Sequence, residues 1–205
     1  MLGGLDFSHL PREKAEQAFL IAEELKQREI RKQSREDFLT FVKTMWPSFI
    51  EGAHHRKMSQ TFNRIARGEL KRVIINMGPR HSKSEMSSYM LPSWLLGLKP
   101  DLKIIQATHT GELAVRFGRK IRDLVDTDDY KKVFEDVTLR ADSKAAGRWE
   151  TSKGGEYFAA GVGGAITGRG ADVLIIDDPH SEQDAMSETA MESAYEWYTS
   201  GPRQR

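Results

Sequence analysis

The stretch Arg72 to Glu85, RVIINMGPRHSKSE, constrains the chain more than any other segment. Val73-Ile74-Ile75 is a short β-branched run that reads as a buried strand of a parallel sheet. A turn-forming segment follows, then Lys83-Ser84, then a helical stretch from Glu85 to about Leu96. Strand, loop and helix in that order suit a polyphosphate, which needs convergent backbone N–H groups, an ammonium over the β/γ-phosphates and a hydroxyl on Mg²⁺. The match to G-x-x-x-x-G-K-[ST] is incomplete: Ser82 stands at the second glycine, Met77 at the first, and Gly78 comes one residue late. Alone, the loop also admits a plainer reading as a basic turn between strand and helix.

A second segment adds weight. GRGADVLIIDDP, residues 168–179, runs Val173-Leu174-Ile175-Ile176 directly into Asp177-Asp178. This is the Walker B pattern, in which a buried strand delivers a carboxylate to its carboxyl end, where open α/β sheets bind ligands. Asp177 is expected to hold Mg²⁺, and Asp178 to orient or deprotonate an attacking water. A strand-ending turn is the alternative for Asp-Asp-Pro. Both motifs in the right order, about ninety residues apart, favour the nucleotide reading.

Lys and Arg total 31 against 30 Asp and Glu, so no global charge draws in a polyanion, and any nucleic-acid contact must be local. With no cysteine, disulfides, thiolate zinc sites and thiol nucleophiles are excluded, which suits a reducing cytosol. No apolar run approaches a membrane span and no signal peptide is visible.

Helical spacing is expected from Pro11 to about Ser34, Asp37 to Met45, His55 to Arg67 with Gly68 as the stop, and Gly111 to Asp126. The first of these is highly charged with signs alternating, and reads as a solvated face rather than a DNA clamp. Residues 103–108 and 156–162 read as strands, the latter followed by a glycine-rich loop at 163–170. Strands alternating with helices predict an α/β fold with three layers and a mostly parallel central sheet, carrying an N-terminal helical appendage.

GPRHSKSE, then GGAITGRGADVLIIDDP, then an aromatic-rich helix ending in Trp197-Tyr198, resemble the N-terminal ATPase domain of the large terminase subunits of tailed bacteriophages. WPSFIEGAHHRKMSQTFNRIARGELKRVIIN is similar to the adenine-side region ahead of that family's loop. The resemblance covers roughly residues 35–200. It implies a P-loop NTPase of the RecA-like type, with residues 1–35 as a charged helical segment and 36–205 as an ATPase domain. That domain would stop short of a coupling motif, a last sheet strand and a nuclease. It further implies ATP and Mg²⁺ as cofactors and double-stranded DNA as substrate. Portal protein and small terminase subunit would be partners of a homo-oligomeric ring, in the host cytoplasm and transiently at the procapsid portal vertex, with no membrane.

By the same resemblance, the loop Gly78, Pro79, Arg80, His81, Ser82, Lys83 and Ser84 would bind the nucleotide. Lys83 would meet the β/γ-phosphates, and Ser84 and Asp177 would hold Mg²⁺. Arg80 would contact or sense the γ-phosphate, with a solvated loop arginine as the alternative. Arg169 would reach a neighbouring subunit's nucleotide as a finger, the alternative being a pairing within its own loop. Gln60, with His54 and His55, is expected near adenine; for the two histidines, helix-start capping or surface exposure competes. The chain carries Asp178 where such ATPases often have Glu, and Ser82 where they have Gly. A helicase-like or repair ATPase, and a nucleotide-binding assembly module without turnover, remain as alternatives.

Overall fold

The computed structural model describes residues 11–166 and 168–204. Its elements are α1 (Arg12–Glu36), α2 (Phe38–Met45), α3 (Ala53–Ala66), α4 (Leu91–Leu98), β1 (Lys103–Thr108), α5 (Gly111–Val125), α6 (Asp128–Val133), β2 (Leu139–Ala145), β3 (Arg148–Thr151), β4 (Glu156–Gly161), β5 (Val173–Asp177) and α7 (Glu188–Ser200). The fold is α/β, and its sheet is mixed.

The sheet order is β2-β3-β4-β1-β5. β1 lies between β4 and β5 and runs parallel to both, while β3 pairs antiparallel with β2 and with β4. Successive side chains of a strand face opposite ways. Ile104 accordingly joins the main core with Met86, Trp94, Ile121 and Tyr157, whereas Ile105 joins a smaller cluster with Ala160 and Ile166, against which Trp197 of α7 packs. The sheet is thus covered on both faces.

The main core is aromatic. Phe38, Phe62 and Trp94 meet edge to face, with ring centroids 5.0 and 5.5 Å from Phe38, the geometry that ring quadrupoles favour. Two of its polar tips are satisfied: Trp94 Nε1 donates to the Ser34 carbonyl at 2.8 Å and the Tyr130 hydroxyl to the Ser93 carbonyl at 2.7 Å. Asp37 breaks α1 from α2 because its carboxylate accepts the Thr40 N–H at 2.8 Å, a helix-starting cap. Gly68 stops the α3 region in the left-handed conformation, φ 77°, as its position predicted.

The predicted strand at Val73-Ile74-Ile75 is corrected. Among the described residues, 72–78 form no ladder, and β5 pairs with β1 alone. Ile75 and Met77 pack on the main core while Ile74 is 90% exposed. The burial therefore alternates with a period of two, as in an extended chain, with one face in solvent. A strand also needs a hydrogen-bonding neighbour, and propensity cannot supply one.

The chain from Lys83 to Leu98 is one helical run containing a π-helical stretch at Glu85–Met90. Pro92 explains it. In an α-helix its ring would strike the Ser88 carbonyl, which would also lose its N–H partner. The Leu91 N–H instead bonds back to Met86, five residues earlier, so the turn ahead of the proline is widened.

Candidate phosphate-binding site

Residues 78–84 connect the segment 72–78 to this helical run. Arg80 and Ser82 have φ of 61° and 59°, while Pro79, His81 and Lys83 do not have positive φ. The hand of the backbone thus alternates along the loop. For a residue with a Cβ the left-handed conformation costs roughly 1–2 kcal/mol. Ser82 adopts the conformation for which the P-loop pattern provides glycine. Asp178 is left-handed too, with φ 44°, and these three are the described non-glycine residues with positive φ. Backbone strain confined to one place in a fold is a mark of functional sites.

Lys83 joins the two motifs. Its ammonium bonds to Asp178 Oδ1 and lies 3.8 Å from Asp177 Oδ1, across ninety-five residues of sequence. Asp177, at the carboxyl end of β5, is 7% exposed, and Ser88 donates to its Oδ2 at 2.9 Å. Asp178 is 62% exposed. One carboxylate is thus built into the fold and held by a buried hydroxyl, while its neighbour faces solvent. The left-handed Asp178 backbone turns the chain at the strand end, and its carbonyl accepts the His109 N–H at 3.2 Å.

Ser84 follows Lys83 at the start of the helical run and makes no side-chain hydrogen bond among the described residues. Ser88 lies one turn on, where i and i+4 share a face. Sequence reasoning missed Ser88, although its spacing from Ser84 carried the signal. No group of three or more His, Asp or Glu side chains among the described residues forms a metal cage. One carboxylate, one hydroxyl and substrate oxygens are what Mg²⁺ takes when it arrives with a nucleotide, so the residues present fit that ion.

His55 begins α3 beside the loop. Its Nδ1 accepts the Gly52 N–H at 2.9 Å, closing the first turn, which is the capping role weighed against an adenine contact. His54 packs against it with the rings tilted by 49° and centroids 3.8 Å apart, and the His81 ring lies 5.5 Å from that of His54. Burial, and then the neighbouring His54, push the His55 pKa below the ordinary histidine value. His81 Nδ1 is 2.7 Å from the Pro79 carbonyl, so the ring shapes its own loop.

Gln60 is exposed and has no hydrogen-bond partner among the described residues. It lies about 120° around α3 from His54. Arg80 is exposed in the loop, without an ion-pair partner among the described residues.

Arg169 is also placed away from the phosphate loop. Its guanidinium donates to Glu156 Oε1 at 2.7 Å and lies over the Phe158 ring, 4.0 Å from the centroid. Glu156 pairs with Lys103 at one end of β1, whereas Asp177 pairs with Thr108 at the other. Five residues of strand, about 16 Å, separate the two levels.

No protein-family model and no curated protein matches the chain. No helix among the described residues is long and apolar enough to cross a membrane.

Proposed function

We propose that this chain is a Mg²⁺-dependent ATP hydrolase of the P-loop class, the motor domain of a terminase large subunit that moves double-stranded DNA. The observation that carries the enzymatic part is the meeting of Lys83 with Asp177 and Asp178 at the carboxyl end of β5. The alternating hand of residues 79–83 supports it, because such a backbone forms a concave nest of N–H groups that suits a phosphate. The DNA-packaging part rests on the order of GPRHSKSE and GRGADVLIIDDP in the sequence. Portal protein, small terminase subunit and a homo-oligomeric ring belong to the same proposal, as do host cytoplasm and portal vertex.

Lys83 first leaves Asp178 for the β/γ-phosphate oxygens. An ion pair with one partner largely in solvent contributes only about 0.2–1 kcal/mol, so the exchange for a polyphosphate is favourable. Ser84 and Asp177 would hold Mg²⁺, which when bound neutralises charge on the β- and γ-oxygens. Asp178, freed of Lys83, orients a water toward the γ-phosphorus and takes its proton as the bond to the β-phosphate oxygen breaks. Arg80 would contact or sense the same phosphate from the loop. Arg169 has no task at its own chain's site. To serve a neighbour's, it must leave Glu156 and Phe158.

The two carboxylates separate by phenotype. Asp177→Ala should weaken Mg²⁺-dependent ATP binding, and Asp178→Asn should bind ATP·Mg²⁺ within about threefold of wild type yet lose phosphate release by 10²-fold or more, because an aligned base acts mainly in the transition state. Equal and mild effects in both variants would reduce the pair to a strand-ending turn.

A further inference from the structure

The His55 imidazole has a donor with no acceptor. Its Nδ1 accepts from Gly52, so in the neutral ring the proton sits on Nε2. The residue is 5% exposed, and Nε2 has no hydrogen-bond partner. His81, in the middle of the phosphate loop, lies beside the same first turn of α3, its ring centroid 5.5 Å from that of His54. Phe49 and His54 pack against the imidazole, with ring centroids 4.7 and 3.8 Å away. A buried donor left unpaired is costly. The neighbouring segment that phosphate binding would rearrange is the loop, whose left-handed Arg80 and Ser82 flank His81.

We propose that His55 is a positioning residue: its Nε2–H takes the His81 carbonyl as its acceptor when the loop closes on phosphate, fixing the loop against the first turn of α3. This rests on the phosphate-loop reading above. The peptide carbonyl of His81 points to one side of the loop and the next N–H, that of Ser82, to the other. Holding the carbonyl therefore aims an N–H toward the anion. His55 touches no substrate, and it acts by reducing the number of loop conformations that nucleotide binding must select.

The test compares ATP·Mg²⁺ affinity in the wild type, His55→Phe, His55→Gln and Lys83→Ala, with thermal unfolding of each. Phe keeps the packing against Phe49 but has neither nitrogen. Gln at the third helical position can cap Gly52 and still donate. The expected result is a loss of about tenfold in affinity for His55→Phe, the worth of one hydrogen bond, and recovery to within about threefold for His55→Gln. A merely structural role would lower the unfolding temperature of His55→Phe and leave the affinity of the folded protein alone, and that outcome overturns the proposal. If Lys83→Ala binds as the wild type does, the phosphate-loop reading itself has failed. If His55→Phe does not fold, ¹⁵N-histidine spectra of the wild type decide. His55 should be the Nε2–H tautomer with an Nε2–H proton that moves downfield on adding ATP·Mg²⁺. An Nδ1–H tautomer, or a proton that does not move, contradicts the proposal.

Discussion

Arg80, Ser82 and Asp178 each hold a left-handed backbone that costs free energy, and Lys83 lies between the two groups of strain. The strain persists because the surrounding structure fixes it: His81 braces the loop on the Pro79 carbonyl, and the His109 N–H holds the turn after β5. His55 adds a pH dependence. Burial depresses its pKa, so between that value and the ordinary value of about 6.5 the unfolded chain binds a proton that the folded chain refuses. Stability from this group is therefore present above about pH 6.5 and falls as the pH drops below it. His54, His81 and Glu51, the last paired with Lys43 and Arg56, are the ionisable groups around it. Denaturant midpoints at pH 7.5, 6.5 and 5.5 should fall toward acid more steeply in the wild type than in His55→Phe, and equal slopes would contradict the buried neutral ring. Lys83, Ser84 and Asp177 were legible in sequence because motif spacing encodes them. The spacing of Ser88 from Ser84 puts both on one helix face, but its bond to Asp177, eighty-nine residues on, and the burial of the His55 ring depend on tertiary packing that the sequence pattern does not hold.

Among the elements, α5 shows how closely the layers approach. A Cβ at Gly118 would lie 2.4 Å from the Ala146 carbonyl oxygen and 2.7 Å from the Tyr157 ring. Trp149 Nε1 donates to the Gly118 carbonyl at 3.0 Å from the same side. Gly118→Ala should therefore destabilise the fold by about 1–3 kcal/mol through overpacking, despite alanine's better helix propensity, measured as a lower denaturant midpoint. A rise in midpoint would show that the helix sits off the sheet. The amphipathic pattern of α5 was readable because its apolar positions recur every three or four residues over fifteen. The β2–β3 hairpin was not, because β3 is short and Trp149 and Thr151 alone mark its buried face. Its outer positions are joined by ion pairs, Arg140 with Glu150 at 2.6 Å and Arg148 with Glu156 at 2.8 Å, which resemble loop composition in sequence. The segment 72–78 was misread for the opposite reason. Its composition is that of a buried strand, and the hydrogen-bonding neighbour that would make it one is not in the sequence pattern.

Across the whole molecule, the alternation of helical and strand segments made the α/β class legible, while the order β2-β3-β4-β1-β5 was not, because pairing joins segments as far apart as β1 and β5. That order puts the end of β5 beside the end of β1 and brings Asp177 and Asp178 to the loop that follows residues 72–78. Arg169, at the other level of the sheet, is paired with Glu156 of its own chain, so the proposed phosphate site rests on the loop and the end of β5. The most direct measurement is an equilibrium titration of the chain and of Lys83→Ala with ATP, with and without Mg²⁺. Binding in the wild type that tightens with Mg²⁺, and a loss of at least about tenfold in Lys83→Ala, is the expected result, since the ammonium is the charge placed to meet the β/γ-phosphates. ATP binding of equal strength in both proteins, or none in either, would contradict a phosphate site at Lys83.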